Sequence, residues 1–400
     1  MRGHVRLRET TLRNGKKSRL YYAVVYRGAD PVTQKKTYDW GRGYRTRREA
    51  EAVLNERLAA LGSGTYIRPV ALTLGDYLHD SWLPSVRPSV KESTFRTYTW
   101  VVDRYLAPLL GARRIQDLAT VDVNTAYGRL LSGDLPEQIK HPGRKNRPLS
   151  PKSVLNIHRV LTKALEDAVD AGLVGRNVAA RAKRPALRAP QMSCWTAADL
   201  AGFLQATKDS RQWPMWHVAS MTGLRRGEVL GLRWEDLDLE DARMMVRQAL
   251  VSIDGIPTIT TPKNGRARVV DLDPDTVAVL RALRLTQKAE RLAWGPGYGC
   301  NDLVFTKEDG TAYHPDVITT AFTRQVKAAT SPRIRLHDLR HTHATLLIKA
   351  GVPVNVVSQR LGHSSPAFTL AVYAHVLPGQ QADAAATFAA VITEATRMAT

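Results

Sequence analysis

The sequence predicts a multidomain protein. It should hold a small β-sheet plus helix N-terminal domain, then an all-α bundle, then a mainly α C-terminal domain with a small antiparallel sheet. Three observations predict this. β-branched and aromatic residues crowd into short runs before Tyr44, apolar residues then recur at helical spacing as far as Ala171, and capped helices with a few short strands fill the rest. At 400 residues the chain is long enough for two or three domains with real cores.

The first domain, residues 1–65, opens with Val5-Arg-Leu-Arg8, which alternates as a strand does. Leu20 to Tyr26 and Lys36 to Trp40 supply two more strands, with turn chemistry at Asp30-Pro31 between them. Thr46 with Glu49 is a capping box, so a helix follows. Residues 62 to 69 read as a linker.

The second domain, residues 72–180, starts at another cap, Thr73 with Asp76. Helices are predicted over Lys91–Leu110, which Gly111 stops, and over Val121–Leu131. Ser150 caps the next helix with Pro151 at its first position, and that helix ends near Gly172. The intervening loop carries Lys140, Arg144, Lys145 and Arg147, and reads equally as a phosphate contact or a solvated insertion. Arg181 to Pro190, basic and poor in apolar residues, reads as a hinge.

The third domain, residues 191–385, starts at the capping box Thr196–Asp199. A helix over Trp213–Met221 leads to a turn at Gly223, and Arg225–Leu232 should be helical. Met244–Val251 and Arg268–Leu272 read as strands, and Val304-Phe305 as a short one. Asp273-Pro274 opens a helix, and Arg335–Ala350, Val354–Leu361 and Phe368–Ala374 are three more. The tail, residues 386–400, belongs to an Ala-rich helix suited to pack on its own domain.

Charge narrows the function. Lys plus Arg outnumber Asp plus Glu by 58 to 37, a formal +21, which points to a polyanion, nucleic acid first and an anionic membrane surface second. No apolar run reaches spanning length, and the N-terminus lacks a signal-peptide core. Cys194 and Cys300 form no metal-ligand spacing and no disulfide framework, so a cytosolic protein is the natural reading.

His337 and Arg340 lie at i and i+3 in Leu-His-Asp-Leu-Arg-His-Thr-His, a turn apart on a helix. A histidine that moves protons and an arginine that forks onto phosphate oxygens suit phosphoryl transfer. Upstream stand Thr222-Gly223-Leu224-Arg225-Arg226-Gly227-Glu228 and Lys263 in Thr-Pro-Lys-Asn-Gly. Downstream stand Leu361-Gly362-His363 and then Tyr373 in Ala-Val-Tyr-Ala-His.

This ordered set of Arg, Lys, His-x-x-Arg, His and Tyr resembles the active site of the tyrosine recombinases, the phage integrase family. The resemblance is close over the second half of the chain and loose over the first. It implies an enzyme that cleaves and rejoins DNA through a 3′-phosphotyrosine with no cofactor and no metal. Tyr373 would be the nucleophile, Arg225 and Arg340 the phosphate ligands, and Lys263 the acid for the departing 5′ oxygen. His337 would help move the tyrosine proton. His363 would bind phosphate or share the acid–base work. Glu228 and Asp338 would orient them, with His341 and His343 behind.

Arg226 competes with Arg225 for its role, as Arg266 and Arg268 do with Lys263. The resemblance also implies an arm-type DNA-binding domain at residues 1–65 and a core-binding domain that clamps duplex DNA. It further implies a homotetramer on core and arm attachment sites, with the tail packed on a neighbouring protomer as the alternative to its own domain, and with an excisionase and a DNA-bending protein as accessory partners. A type IB topoisomerase and a non-catalytic DNA-binding regulator are the competing functions.

Overall fold

The computed structural model describes the chain except residues 1–2, 12–16, 32, 64–65, 137–138, 140–146, 188–192, 263–264, 300–301, 374–379 and 400. Lys263, Cys300 and three of the basic loop residues (Lys140, Arg144 and Lys145) therefore lie outside the described residues. Contacts group the chain into two compact units, Met1–Ala189 and Pro190–Thr400.

The first unit begins with an antiparallel sheet in the order β1 (Gly3–Thr11), β2 (Lys17–Ala29), β3 (Lys36–Tyr44). One face buries Ala23 and Val25 against Leu54 of α1 (Arg47–Gly62), with Val5, Val53, Leu58 and Leu61 at the margin. Thr46 and Glu49 close the capping box at the start of that helix. The other face is polar and aromatic. The Arg6 and Arg8 guanidiniums lie 5.5 and 6.0 Å from the Trp40 ring centroid, and Tyr38 and Trp40 are exposed.

The stretch expected as a free linker is tied down over its second half. Tyr66 Oη donates to Asp39 (3.2 Å), Arg68 pairs with Asp39 (3.3 Å), and Val70 N donates to Gln116 (3.1 Å). Gly62 itself ends α1.

The bundle of this unit contains α2 (Leu74–Asp76), α3 (Leu83–Val86), α4 (Glu92–Val101), α5 (Ala107–Leu110), α6 (Thr120–Ser132) and α7 (Pro151–Asp170). π-turns at Tyr77–Trp82 and Val102–Leu106 join the first pairs into longer helices. Each stands just before a proline, Pro84 or Pro108, whose ring would strike the carbonyl four residues back in a regular helix. The α7 apolar stripe from Val154 to Ala168 buries against Leu78, Trp82, Leu106 and Leu130. Tyr77 Oη donates to Ala164 O (2.9 Å) and Trp82 Nε1 to Asp167 (2.8 Å), so the buried polar tips are satisfied. Residues 181 to 183, expected to open a hinge, are instead held by this bundle: Ala182 is buried in its core and Lys183 N donates to Asn124 (2.8 Å).

The second unit runs α8 (Ala197–Ala206), α9 (Trp213–Thr222), α10 (Arg226–Leu230), β4 (Leu237–Asp238), β5 (Arg243–Val246), β6 (Ala249–Ile253), β7 (Ile256–Thr260), β8 (Arg268–Asp271), α11 (Pro274–Trp294), α12 (Pro315–Ala328), α13 (Asp338–Lys349), α14 (Val354–Leu361), α15 (Pro366–Tyr373) and α16 (Gln380–Ala399). Its main core joins Trp195, Phe203, Trp216, Leu280, Val304 and Phe322.

Two strand expectations change. Met244–Val251 is not one strand: β5 pairs with β4 and β8, while β6 pairs with β7 in a separate hairpin. The break falls where Arg247 turns to Asp236 (3.2 Å) and Gln248 donates to Gly231 O (2.9 Å). Val304-Phe305 forms no strand; single bridges at Leu303 and Thr306 hold that segment as packed loop. The helix expected over Arg225–Leu232 spans only Arg226–Leu230, with Arg225 as its cap residue. No described helix is long and apolar enough to cross a membrane.

Candidate active site

Two glycine turns build the site. Helix α9 ends at Gly223, whose φ of +65° favours glycine, and a Cβ there would lie 2.7 Å from both His343 and Leu361. Helix α14 ends in the same way at Gly362, φ +65°, where a Cβ would meet Arg268 at 2.8 Å. Both turns aim backbone carbonyls at arginines. Arg340 donates to Gly223 O (2.8 Å) and Leu361 O (2.7 Å), and Arg225 donates to Gly362 O (3.2 Å). Leu361 and Gly362 are consecutive, so both guanidiniums rest on neighbouring carbonyls of one turn. Each keeps further N–H groups for the oxygens of a phosphodiester.

Arg340 is buried in the first turn of α13. Burial, and then the nearby Arg225, push its guanidinium down to about 9. An anion placed between the two would reverse that penalty. Glu228, one turn into α10, is 1 % exposed and binds Arg225 (2.8 Å) and Arg268 (2.7 and 3.1 Å). Burial raises its carboxyl, but the two arginines outweigh that and bring it to about 2. One carboxylate thus orders two guanidiniums, and it acts on a third, that of Arg340, only at longer range.

The rival arginines of the sequence have partners of their own. Arg226 is spent on α12, donating to Thr319 Oγ1 (2.7 Å), Pro315 O and Asp316. Arg268 is spent on Glu228 and on Arg360 O (3.0 Å). Lys263 itself lies outside the described residues; its neighbours Pro262 and Gly265 close a turn between β7 and β8.

The histidines divide by environment. His337 is the exposed cap residue of α13, held below its ordinary pKa by the surrounding protein, His341, Arg340 and Arg225. His363 bonds Thr369 Oγ1 through Nδ1 (2.6 Å), which leaves Nε2 for a phosphate oxygen. Burial, then Arg340 and Arg225, push it down to about 4. Tyr373, on α15, is 1 % exposed among Ala344, Ile348, Val357 and Leu361, and burial pushes its phenol up to about 12. Its hydroxyl bonds His341 Nδ1 at 2.7 Å, and Arg340 lies within electrostatic reach. Arg225, His337, Arg340, His363 and Tyr373 are therefore gathered at one place.

Asp338 and His343 support this place. Asp338, also buried, is bonded to Arg335 (2.8 and 3.0 Å). His343 accepts from Arg360 Nε at Nε2 (3.2 Å) and so donates from Nδ1 to Ser220 O (2.9 Å). That tautomer is neutral, and burial with Arg360 pushes the ring down to about 4.

A depressed folded pKa means that the unfolded chain, with its histidine near 6.5, binds the extra proton first. Stability is therefore expected in full above about pH 6.5 and to fall as pH drops toward 4, by up to about 3 kcal/mol for His343 alone. Urea midpoints at pH 7 and pH 4.5 check this, and equal midpoints would contradict a buried neutral His343.

From the sequence, Arg268 is legible only as a rival of Lys263 and His341 only as support. A local signal existed for His341, since His337 and His341 share a helix face at i and i+4. None existed for Arg268, which lies 40 residues from Glu228. Among the described residues no group of three His, Cys, Asp or Glu is placed to hold a metal ion.

Residues 196–380 match the phage integrase family, and residues 73–131 match the phage integrase N-terminal SAM-like domain. The chain is 28% identical over 366 residues to a tyrosine recombinase XerC-like protein of Caldanaerobacter subterraneus, covering 86% of this chain and 89% of that one. It is 30% identical over 240 residues to the ICEBs1 integrase of Bacillus subtilis, covering 59% and 65%. In fold it is similar to the Tn1549 transposon integrase in complex with a circular intermediate DNA (TM-score 0.64, 20% identity, 79% of this chain and 99% of that one). It is also similar to a lambda integrase tetramer bound to a Holliday junction (TM-score 0.54, 18% identity, 90% and 96%). The two family matches, the full-length relative and the two arginines gathered beside Tyr373 agree: the chain belongs to the phage integrase family of tyrosine recombinases.

Proposed function

We propose that the protein is a site-specific DNA recombinase that integrates and excises a mobile element through a 3′-phosphotyrosine. The observation that carries this reading is the pair of guanidiniums on the Leu361 and Gly362 carbonyls, beside the tyrosine helix. Arg225 and Arg340 grip the non-bridging oxygens and stabilise the charge that builds on them. Tyr373 Oη attacks phosphorus once the side chains over it give way, and the P–O5′ bond breaks. Lys263 protonates the departing oxygen. His337 helps move the tyrosine proton and His363 holds the phosphate. The phosphotyrosine keeps the diester energy, so rejoining needs no nucleotide cofactor.

The modules are assigned as residues 1–65 for arm DNA, 72–180 for core DNA, 191–385 for catalysis, and 386–400 as a tail. The Arg6–Arg8–Trp40 face of the N-terminal sheet suits phosphate and base contact. The working form is a homotetramer on core and arm sites in the cytoplasm, assisted by an excisionase and a DNA-bending protein.

The test is to trap the protein on DNA in cells, recover the adduct, and sequence the attached strand. Proteolysis then maps the linked residue. An adduct on the Tyr373 peptide through a 3′ phosphate is expected, whereas nicked DNA free of protein would sink the reading. A chain starting at Val70 is expected to cleave the core site so found but to lose arm binding and efficient integration. Integration by it at the full chain's rate would remove the arm assignment.

A further inference from the structure

His341 is not part of the ordered residue set that marks the family resemblance, yet it holds the hydrogen bond to the tyrosine that is. Its Nδ1 stands 2.7 Å from Tyr373 Oη, with ring centroids 5.8 Å apart. The contact joins α13, which also carries Arg340, to α15, which carries Tyr373. Nearby Thr369, one turn before Tyr373 on α15, bonds His363 at 2.6 Å. The tyrosine helix is thus fastened at two points one turn apart, each to a histidine of the phosphate pocket. His337 meets His341 edge to face at 5.1 Å, one turn earlier on α13.

Resting on the function proposed above, we infer that His341, through Nδ1, is the immediate acceptor of the Tyr373 proton in strand cleavage. The ring takes the tautomer with its proton on Nε2, so Nδ1 accepts from the phenol. As Oη forms its bond to phosphorus and the P–O5′ bond breaks, the phenolic proton passes to Nδ1 and an imidazolium forms. The 5′ oxygen leaves with a proton from the Lys263 acid. On rejoining, the incoming 5′ hydroxyl gives its proton back to that acid, the P–Oη bond breaks, and His341 returns the proton to Tyr373. Charge and protons balance over the cycle. His337 is then the second ring in line rather than the first.

Geometry favours this order. A proton acceptor must lie within hydrogen-bond reach of the proton it takes, and His341 does. The phenol is buried among apolar groups where water does not reach it. The charged and titratable groups around His341 are His337, Asp338 and Arg340 on its own helix, Arg335 just before it, His363 from the turn after α14, and Tyr373 from α15. Asp338 favours the imidazolium, while burial, Arg340 and Arg335 oppose it. The ring therefore stays neutral, and ready to accept, at neutral pH.

The experiment is single-turnover cleavage of a nicked suicide substrate by the full chain across pH. His341→Gln keeps a hydrogen-bonding group but takes no proton. It is expected to cleave ~10²- to 10⁴-fold more slowly and to lose the acid limb of the native pH profile. A fluorinated tyrosine at position 373, more acidic than tyrosine, is expected to recover much of that loss, because a better-ionised phenol needs less base. The same replacement should leave Arg225→Ala unrecovered. DNA binding and thermal melting of each variant, run alongside, separate folding from chemistry.

His341→Gln cleaving at the native rate, or a loss that fluorotyrosine leaves untouched, would overturn the assignment. In the native chain, a pH profile that His341→Gln leaves unchanged in shape would also do so. Native protein that makes no adduct would instead sink the recombinase reading itself, so the two failures are distinguishable.

Discussion

Tyr373→Phe is expected to abolish the covalent adduct while DNA binding stays within a few-fold of the native value. The ring packs against Ala344, Ile348, Val357 and Leu361, and phenylalanine preserves that packing. What is lost is one oxygen and its bond to His341. The half-buried His341 then lacks a partner at Nδ1, which costs about 1–3 kcal/mol, a loss a domain of this size should survive. Neither Arg225 nor Arg340 depends on the hydroxyl, because their partners are Glu228 and three backbone carbonyls. The phosphate grip should therefore persist without the nucleophile. A suicide substrate on a denaturing gel reads the adduct, and a gel shift reads binding. An adduct of undiminished yield in the Phe variant would move the nucleophile to another residue.

Lys263→Ala is expected to cripple cleavage of ordinary DNA and to be largely rescued when sulfur replaces the bridging 5′ oxygen at the scissile phosphate. A departing alkoxide is about as basic as hydroxide, whose conjugate acid has a pKa of about 15.7, whereas a thiol has a pKa of about 8.5. The thiolate leaves without an acid, so the lysine becomes dispensable. Arg225→Ala should not be rescued, since its work is on the non-bridging oxygens. That variant is a fair contrast because Arg268 still neutralises the buried Glu228, at 2.7 and 3.1 Å.

The packing sharpens this prediction. Arg268 is committed to Glu228 and Arg360 O, which leaves Arg266, exposed on the same turn, as the remaining local rival. Single-turnover rates on both substrates at saturating protein decide it. Equal slowness of Lys263→Ala on the two would pass the acid role to another group.

Local chemistry explains what is legible in the sequence. Helix starts at Thr46, Thr73, Ser150, Thr196 and Asp273 were legible because each cap side chain accepts from a backbone N–H three residues on. The ends at Gly223 and Gly362 were legible because a left-handed residue there favours glycine. The ordered Arg, His-x-x-Arg, His and Tyr pointed to the family because residue order and local context can be read without any distance.

Where a residue's partner lies far along the chain, sequence spacing carries no distance. Arg225 reaches Gly362 across 137 residues, and Arg226, its neighbour, turns instead to α12. No property of two adjacent arginines separates them; the cap position of Arg225 and the helix position of Arg226 do, by sending their side chains in different directions. The break between β5 and β6 follows from Arg247 and Gln248 finding partners outside the sheet, which strand propensity does not encode. Sequence by itself thus determined the family and the capped helices, and named the candidate reactive groups. Tertiary structure alone decided which partners each arginine finds and which histidine holds Tyr373, because buried donors and acceptors must be matched in space.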